Sequence, residues 1–149
     1  MKKNNFFEKV FTTHNFRETQ KLGHDFSETL EKGRIICLYG DLGSGKTTFI
    51  QGLAEGLGIK SRIISPTFVI IRSHRLRAGM FYHVDLYRTE SEKDIENLGL
   101  EEIINDLQNI VAIEWAEKLK NYLPEKRIDI EFVNEKENIR KIMFRSSSQ

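Results

Sequence analysis

Two short, almost entirely apolar runs predict strands that are buried on both faces of a sheet. Residues 34–39 (RIICLY) and residues 109–113 (NIVAI) have too few polar positions for a half-exposed strand. Runs of this kind are typical of parallel strands that helices cover on both sides. The chain is therefore expected to place two such strands inside its sheet.

Three other segments carry apolar side chains at helical spacing. Residues 17–30, 46–57 and 92–107 repeat apolar side chains every three or four positions. Such a repeat places these side chains on one face of a helix. A glycine follows each of the first two segments as a stop signal, and Gly99 interrupts the third. Each segment is predicted to be a helix with one buried face.

The remaining apolar runs predict two antiparallel pairs. The predicted strands cover residues 68–73 and 80–85, and then 127–133 and 140–145. Polar stretches at residues 74–79 and 134–138 are expected to form the two connecting turns. Together with the buried strands, these elements predict a single α/β domain over residues 1–149: a three-layer sandwich with a mixed, mainly parallel sheet and helices on both faces. Residues 1–15 are expected to be an N-terminal extension and residues 146–149 a frayed tail.

Amino-acid composition adds little to the predicted fold but excludes some classes of function. The 149 residues include 23 Lys and Arg and 22 Asp and Glu, which gives a formal net charge of +1. This balance provides no long-range attraction to nucleic acid or anionic lipid. The apolar runs are too short to cross a bilayer, and the N-terminus does not resemble a signal peptide. A lone cysteine, Cys37, lies in an apolar run and is expected to be a buried core residue, so a cytoplasmic location is the default expectation.

The clearest chemical motif is a glycine-rich loop between the first buried strand and the second helix. Residues 40–47 read GDLGSGKT, which is the spacing of a phosphate-binding loop. Its glycines let the backbone approach a phosphate, and its amides and the following helix N-terminus favour negative charge. Lys46 is expected to reach the β- and γ-phosphates, and the Thr47 hydroxyl to bind Mg²⁺. The segment therefore predicts an ATP or GTP site, with Asp41 as a further candidate for positioning water or a partner group.

Two acids at predicted strand ends are candidates to complete this site. Asp85 ends FYHVD and Glu114 ends NIVAIE, and open α/β sheets bind ligands at the carboxyl ends of their strands. Asp85 suits a magnesium-holding acid, and Glu114 suits either a general base or a second acid near the metal. Trp115 is interpreted either as a core aromatic or as a neighbour of the nucleotide, and His83 as a structural histidine. The histidines show no ligand spacing, so no zinc site is predicted.

Four sequence blocks in this order resemble the TsaE (YjeE) family, small bacterial ATPases of tRNA threonylcarbamoyladenosine (t6A) synthesis. The blocks are GDLGSGKTT at 40–48, SPTF at 65–68, HVDLYR at 83–88 and IEW at 113–115. The phosphate loop occurs in many families, whereas the other three blocks together are more discriminating. The resemblance extends over roughly residues 16–133. It departs from the family pattern at Thr89 and Ala116, where an apolar residue and a proline are common.

The resemblance implies a P-loop fold, weak ATP hydrolysis with Mg²⁺, and no carbamoyl transfer by this chain itself. That transfer belongs to partner proteins, TsaD with TsaB, so tRNA is met only through the complex. By matching motif, the implied nucleotide contacts are Asp41, Leu42, Gly43, Ser44, Gly45, Lys46, Thr47, Thr48, Thr67 and Trp115. Thr47 and Asp85 are implied to hold magnesium, with Glu114 near it in support of hydrolysis. Thr67 is implied to be a switch-like threonine.

Three other functions stay open at this stage. A small-molecule kinase fits the length, although the second half lacks the closely spaced arginines of a kinase lid. A GTP-dependent switch lacks an Asn-Lys-x-Asp motif. A tRNA-binding module is disfavoured by the neutral charge, but Arg72, Arg75 and Arg77 could contact tRNA, a protein partner or only solvent.

Overall fold

The computed structural model describes residues 5–31, 33–63 and 70–148, and it gives the side chains of residues 8–146 within those ranges. Strands and helices alternate over much of this length. In chain order they are β1 (Asn5–Thr13), α1 (Phe16–Ser27), β2 (Ile35–Tyr39), α2 (Lys46–Gly56), β3 (Ile71–Arg75), β4 (Met80–Asp85), α3 (Glu92–Glu96), α4 (Leu100–Asn105), β5 (Ile110–Glu114), a 3₁₀ helix (Ala116–Tyr122), β6 (Ile128–Lys136) and β7 (Ile139–Ser148).

These strands form one seven-stranded sheet in the order β1-β7-β6-β2-β5-β4-β3. The four central strands, β6, β2, β5 and β4, are parallel to one another. The pairings β1–β7, β6–β7 and β3–β4 are antiparallel. The predicted mixed α/β sheet is thus confirmed, with its parallel strands in the middle and its antiparallel strands toward both edges.

Helices cover both faces of the sheet. On one face, α1 and α2 pack on alternate side chains of the central strands, such as Ile36 and Leu38. On the other face, α3, α4 and the 3₁₀ helix pack on the intervening positions, such as Ile35 and Cys37. This alternation explains why β2 and β5 read as continuous apolar runs, since both sets of side chains are buried.

The two ends of the chain were predicted to be an extension and a frayed tail, but in the structure they form strands that pair with each other. The segment expected to be an N-terminal extension contains β1, which is antiparallel to β7 over nine residue pairs. The tail expected to fray at residues 146–149 is instead part of β7 as far as Ser148, and the Ser146 side chain is buried. This pairing could not be predicted, because neither terminal segment carries a local sequence signal for a strand partner so far along the chain.

Several predicted boundaries also shift. The first helix ends at Ser27 rather than near residue 30, and β3 runs on to Arg75. The predicted break at Gly99 is confirmed, because it separates α3 from α4, and Leu107 lies beyond α4 with 74% exposure. The SPTF block at 65–68 lies outside the described residues. Within the described part of the chain, no helix is long and apolar enough to cross a membrane.

Candidate functional site

The candidate site lies at the carboxyl edge of the parallel strands. Asp85 ends β4 and Glu114 ends β5, and the parallel register makes them direct neighbours. Glu114 is also paired with Leu38 of β2, just before the glycine-rich loop begins. Parallel strands that end at one edge therefore place both predicted acids beside the loop, as the sequence led us to expect.

A cavity of about 590 Å³ opens at this edge, which is a volume typical of small-molecule sites. Its walls come from the loop with the start of α2, the ends of β4 and β5 with the residues that follow them, the start of α1, the β6–β7 turn with the start of β7, and Ile70 before β3. The lining residues are Asn15, Phe16, Thr19, Leu42, Gly43, Ser44, Gly45, Lys46, Thr47, Thr48, Ile70, Asp85, Tyr87, Arg88, Glu114, Trp115, Asn138 and Arg140.

The start of α2 is built to receive an anion. Gly45 precedes the helix with φ of 105°, a left-handed conformation that a side chain would strain. Among the described residues, no side chain caps this helix N-terminus, and its first turn contains no acidic residue. The amides of that turn therefore lack the usual side-chain oxygen acceptor, and the helix dipole favours negative charge at that point.

Lys46 is folded back onto its own loop. Its Nζ donates to the carbonyl oxygens of Gly40, at 2.5 Å, and Asp41, at 2.9 Å, and lies 4.5 Å from the ring centroid of Trp115. Burial lowers the pKa of Lys46, and the carboxylate of Glu114 opposes that shift. The two carbonyl contacts keep the ammonium group of Lys46 beside the loop, where phosphate oxygens could replace the carbonyl oxygens as acceptors.

Glu114 is the centre of a buried polar cluster. The Thr47 hydroxyl donates to both carboxylate oxygens of Glu114, at 3.1 Å each. On the other side, His83 Nε2 lies 2.6 Å from Glu114 Oε2. Glu114 is 3% exposed and His83 is fully buried. This carboxylate is therefore held between the start of α2 and the β4 strand.

Trp115 and Tyr87 join the two loops that follow β5 and β4. Their ring centroids lie 5.0 Å apart, and Trp115 has a left-handed backbone with φ of 58°. Lys118 donates to the carbonyl oxygens of Tyr87 and Thr89, the second at 2.9 Å. These contacts hold the indole of Trp115 beside Lys46 in the wall of the cavity.

Comparison with known proteins identifies the family of this chain. A family profile described as "Threonylcarbamoyl adenosine biosynthesis protein TsaE" matches residues 13–142. The chain belongs to the TsaE family. This places it among proteins of t6A biosynthesis, in agreement with the resemblance of its four sequence blocks.

Individual TsaE relatives and a solved structure agree with this assignment. The TsaE protein of Bacillus subtilis (strain 168) is 39% identical over 132 residues, which are 89% of this chain and 82% of the relative. The TsaE protein of Nostoc sp. (strain PCC 7120) is 44% identical over 115 residues, 75% of this chain and 70% of the relative. The crystal structure of Bacillus subtilis YdiB matches with a TM-score of 0.82 at 30% identity, over 98% of this chain and 90% of that chain.

Most site residues predicted for this TsaE chain line the cavity. They are Leu42, Gly43, Ser44, Gly45, Lys46, Thr47, Thr48, Asp85, Glu114 and Trp115. Asp41 does not line it and contributes its backbone carbonyl, which accepts from Lys46. Thr67 lies outside the described residues. The basic residues Arg72, Arg75 and Arg77 do not line the cavity, and all three are exposed.

Another part of the wall of the TsaE cavity could not be predicted from the sequence motifs. Asn15 and Phe16 come from the start of α1, Asn138 from the β6–β7 turn, and Arg140 from the start of β7. The Arg140 guanidinium donates to the carbonyl oxygen of Gly43 at 3.3 Å, which ties this wall to the loop. No motif marked these residues, because their contribution depends on how the ends of the chain fold together. By contrast, Arg88 could have been found, since it belongs to the HVDLYR block.

Proposed function

We propose that this TsaE-family chain binds Mg-ATP and hydrolyses it to ADP and phosphate. The observation that carries the proposal is the hydrogen bonding of Thr47 to both oxygens of Glu114 inside the loop cavity. This contact joins a hydroxyl at the start of the phosphate-binding helix to a buried acid at a strand end. P-loop NTPases use such a hydroxyl and acid to organise Mg²⁺ beside the phosphates.

The described residues also fit the magnesium ion that this function needs. Mg²⁺ prefers hard oxygen ligands and usually binds few protein groups besides phosphate and water. The Thr47 hydroxyl and the Asp85 and Glu114 carboxylates all line the same cavity. The backbone amide of Tyr87 donates to Asp85 Oδ1 at 3.0 Å, which orients that carboxylate. A bound Mg²⁺ would neutralise phosphate charge as the transferred group leaves.

In the proposed reaction, water attacks the γ-phosphorus and the bond to the β–γ bridging oxygen breaks. Lys46 exchanges its carbonyl partners for phosphate oxygens and stabilises the charge that develops on them. The amides at the start of α2 hold the same phosphates. Glu114 supports the attack either as the base that takes the water proton or as a second acid near the metal, in which case the proton passes to the phosphate that is released. The geometry favours the second role, because Thr47 already binds both of its oxygens.

We further propose that this hydrolysis supports repeated cycles of t6A modification by a TsaB–TsaD complex. Family membership supports a role in that pathway. The cavity of about 590 Å³ beside the glycine-rich loop supports nucleotide binding, and the carbamoyl transfer is assigned to the partner complex by resemblance. A protein that serves tRNA modification through these partners would work in the cytoplasm.

The test is phosphate release from Mg-ATP by the purified chain, measured with and without TsaB and TsaD. We expect slow release alone and faster release with the partners. Lys46→Ala should weaken nucleotide binding. Glu114→Gln should keep binding and lower the turnover number by about 10- to 100-fold, because the neutral amide removes the carboxylate charge beside the metal. Glu117→Gln is the matched control, because Glu117 also contributes negative charge near Lys46 but is exposed.

Three results would overturn parts of the proposal. Normal hydrolysis by Glu114→Gln would remove the role given to that acid. Transfer of phosphate to a small acceptor, faster than release to water, would favour the kinase alternative. A multiple-turnover tRNA modification assay that is unaffected by adding this chain would exclude the t6A role of the hydrolysis.

A further inference from the structure

His83 occupies an unusual place in this structure, because it is fully buried and yet contacts the candidate acid of the site. It lies in β4, where it is paired with Ala112 of β5. Its Nε2 is 2.6 Å from Glu114 Oε2. It does not line the cavity, so a bound nucleotide would not touch it. Any effect of His83 on the chemistry must pass through Glu114.

We propose that His83 is a positioning residue, which donates its Nε2–H to Glu114 and fixes the orientation of that carboxylate toward Thr47. Among the described residues, His83 Nδ1 has no hydrogen-bond partner. A buried ring nitrogen that lacks an acceptor is better left unprotonated, since a buried N–H without a partner is costly. The proton then resides on Nε2, where the carboxylate of Glu114 accepts it.

The two donors to Glu114 have different tasks. Thr47 is also the proposed magnesium ligand, so its hydroxyl serves two partners when metal and nucleotide bind. His83 has a single polar contact among the described residues, and β-sheet pairing holds its backbone. It can therefore keep the Glu114 carboxylate in place while the contacts on the cavity side change. Groups that orient a functional carboxylate in this way commonly contribute about 10- to 100-fold to metal affinity or activity.

This inference rests on the proposed function. Substitution of His83 by an amide residue distinguishes a hydrogen-bonding role from a role in packing alone. The amide nitrogen of glutamine can reach the place of an imidazole Nε2, whereas asparagine is shorter and reaches only the place of Nδ1. We expect His83→Gln to keep the turnover number within about 3-fold of the wild type, and His83→Asn to lower it by about 10- to 100-fold. The KM for ATP should change little in both, because His83 does not line the cavity.

Phe81→Leu is the packing control, because Phe81 lies in the same strand, is fully buried and does not line the cavity. It should lower the unfolding free energy and leave the turnover number near that of the wild type. A thermal unfolding curve on every variant establishes that each is folded. If His83→Asn does not fold, His83→Leu, which keeps a buried side chain without a donor, takes its place.

A second measurement does not depend on turnover. The Mg²⁺ concentration that half-saturates nucleotide binding, followed by Trp115 fluorescence, should rise in His83→Asn and stay near the wild-type value in His83→Gln. Equal behaviour of these two variants in both measurements would overturn the inference, as would an equal loss in Phe81→Leu. Failure of the wild type to hydrolyse ATP would instead refute the proposed function, and the Mg²⁺ comparison would still decide the role of His83.

Discussion

Replacing Gly52 by alanine is expected to destabilise the protein, although alanine favours helix formation. Gly52 lies in α2 where α1 crosses it. A Cβ at this position would come within 1.8 Å of the carbonyl oxygen of Gln20 and 2.6 Å of its carbonyl carbon. Both atoms belong to the backbone of α1, so no side-chain rotation can relieve the clash. The two helices must separate or α1 must shift.

Whether Gly52→Ala stabilises or destabilises the protein depends on two free energies, the gain in helix propensity and the cost of the steric clash. Alanine gains at most about 1 kcal/mol over glycine in a helix interior. Overpacking of a well-packed core costs about 1–3 kcal/mol, and the upper end applies where only backbone can move. Ordinary contact begins near 3.4 Å, so the 1.8 Å approach requires a displacement of roughly 1.6 Å. We therefore expect Gly52→Ala to lower the unfolding free energy by about 2 kcal/mol.

Urea unfolding, followed by far-ultraviolet circular dichroism, measures this loss. Glu55→Ala is the control, because Glu55 is exposed on the same helix and its replacement should change stability by less than about 0.5 kcal/mol. Nucleotide affinity should also fall in Gly52→Ala, since α1 and α2 both contribute to the cavity. A Gly52→Ala protein as stable as the wild type would refute the reasoning about helix contact.

Three further outcomes follow from the structure. Cys37 should resist iodoacetamide in the native protein and react after denaturation, because burial raises its pKa to about 12; native labelling would contradict this. Arg140→Gln should weaken Mg-ATP binding by about 3- to 10-fold in a fluorescence titration, because the charged contact to Gly43 is lost; unchanged affinity would exclude that wall from the site. Deleting residues 1–13 should lower the free energy of unfolding in urea by about 2 kcal/mol or more, because β7 loses one of its two partner strands and Phe144 loses its edge contact with Phe11; an unchanged midpoint would mean that β1 is dispensable.

The parts of this protein that could be predicted from sequence are those whose signals are local. A buried strand, the glycine-rich loop and an amphipathic helix follow one another within residues 34–57, and each is recognisable by composition or spacing. Asp85 and Glu114 could be placed at one edge because parallel strands end together. Local patterns therefore predicted the loop wall and the acid wall of the cavity.

What could not be predicted depends on register or on contacts between distant segments. The sequence pattern favours a structural role for His83, and only the pairing of β4 with β5 shows its contact with Glu114. In the same way, β1 has no partner within its own part of the chain, and its pairing with β7 joins residues more than a hundred positions apart. Neither contact produces a periodic pattern in the sequence, because both are set by the order of strands in the folded sheet.

The distribution of motifs around the cavity has a physical reason. On the acid side, chemistry requires particular atoms at fixed positions, namely a hydroxyl and carboxylates that hold a metal and water. On the side formed by the start of α1, the β6–β7 turn and the start of β7, the residues need only supply shape and a few polar contacts, such as that from Arg140 to the loop. Many residue types can do this, so no motif marks that side. Since this wall is built from both ends of the chain, with β1 and β7 paired beside it, binding of nucleotide there should stabilise the pairing of the termini as well as the loop.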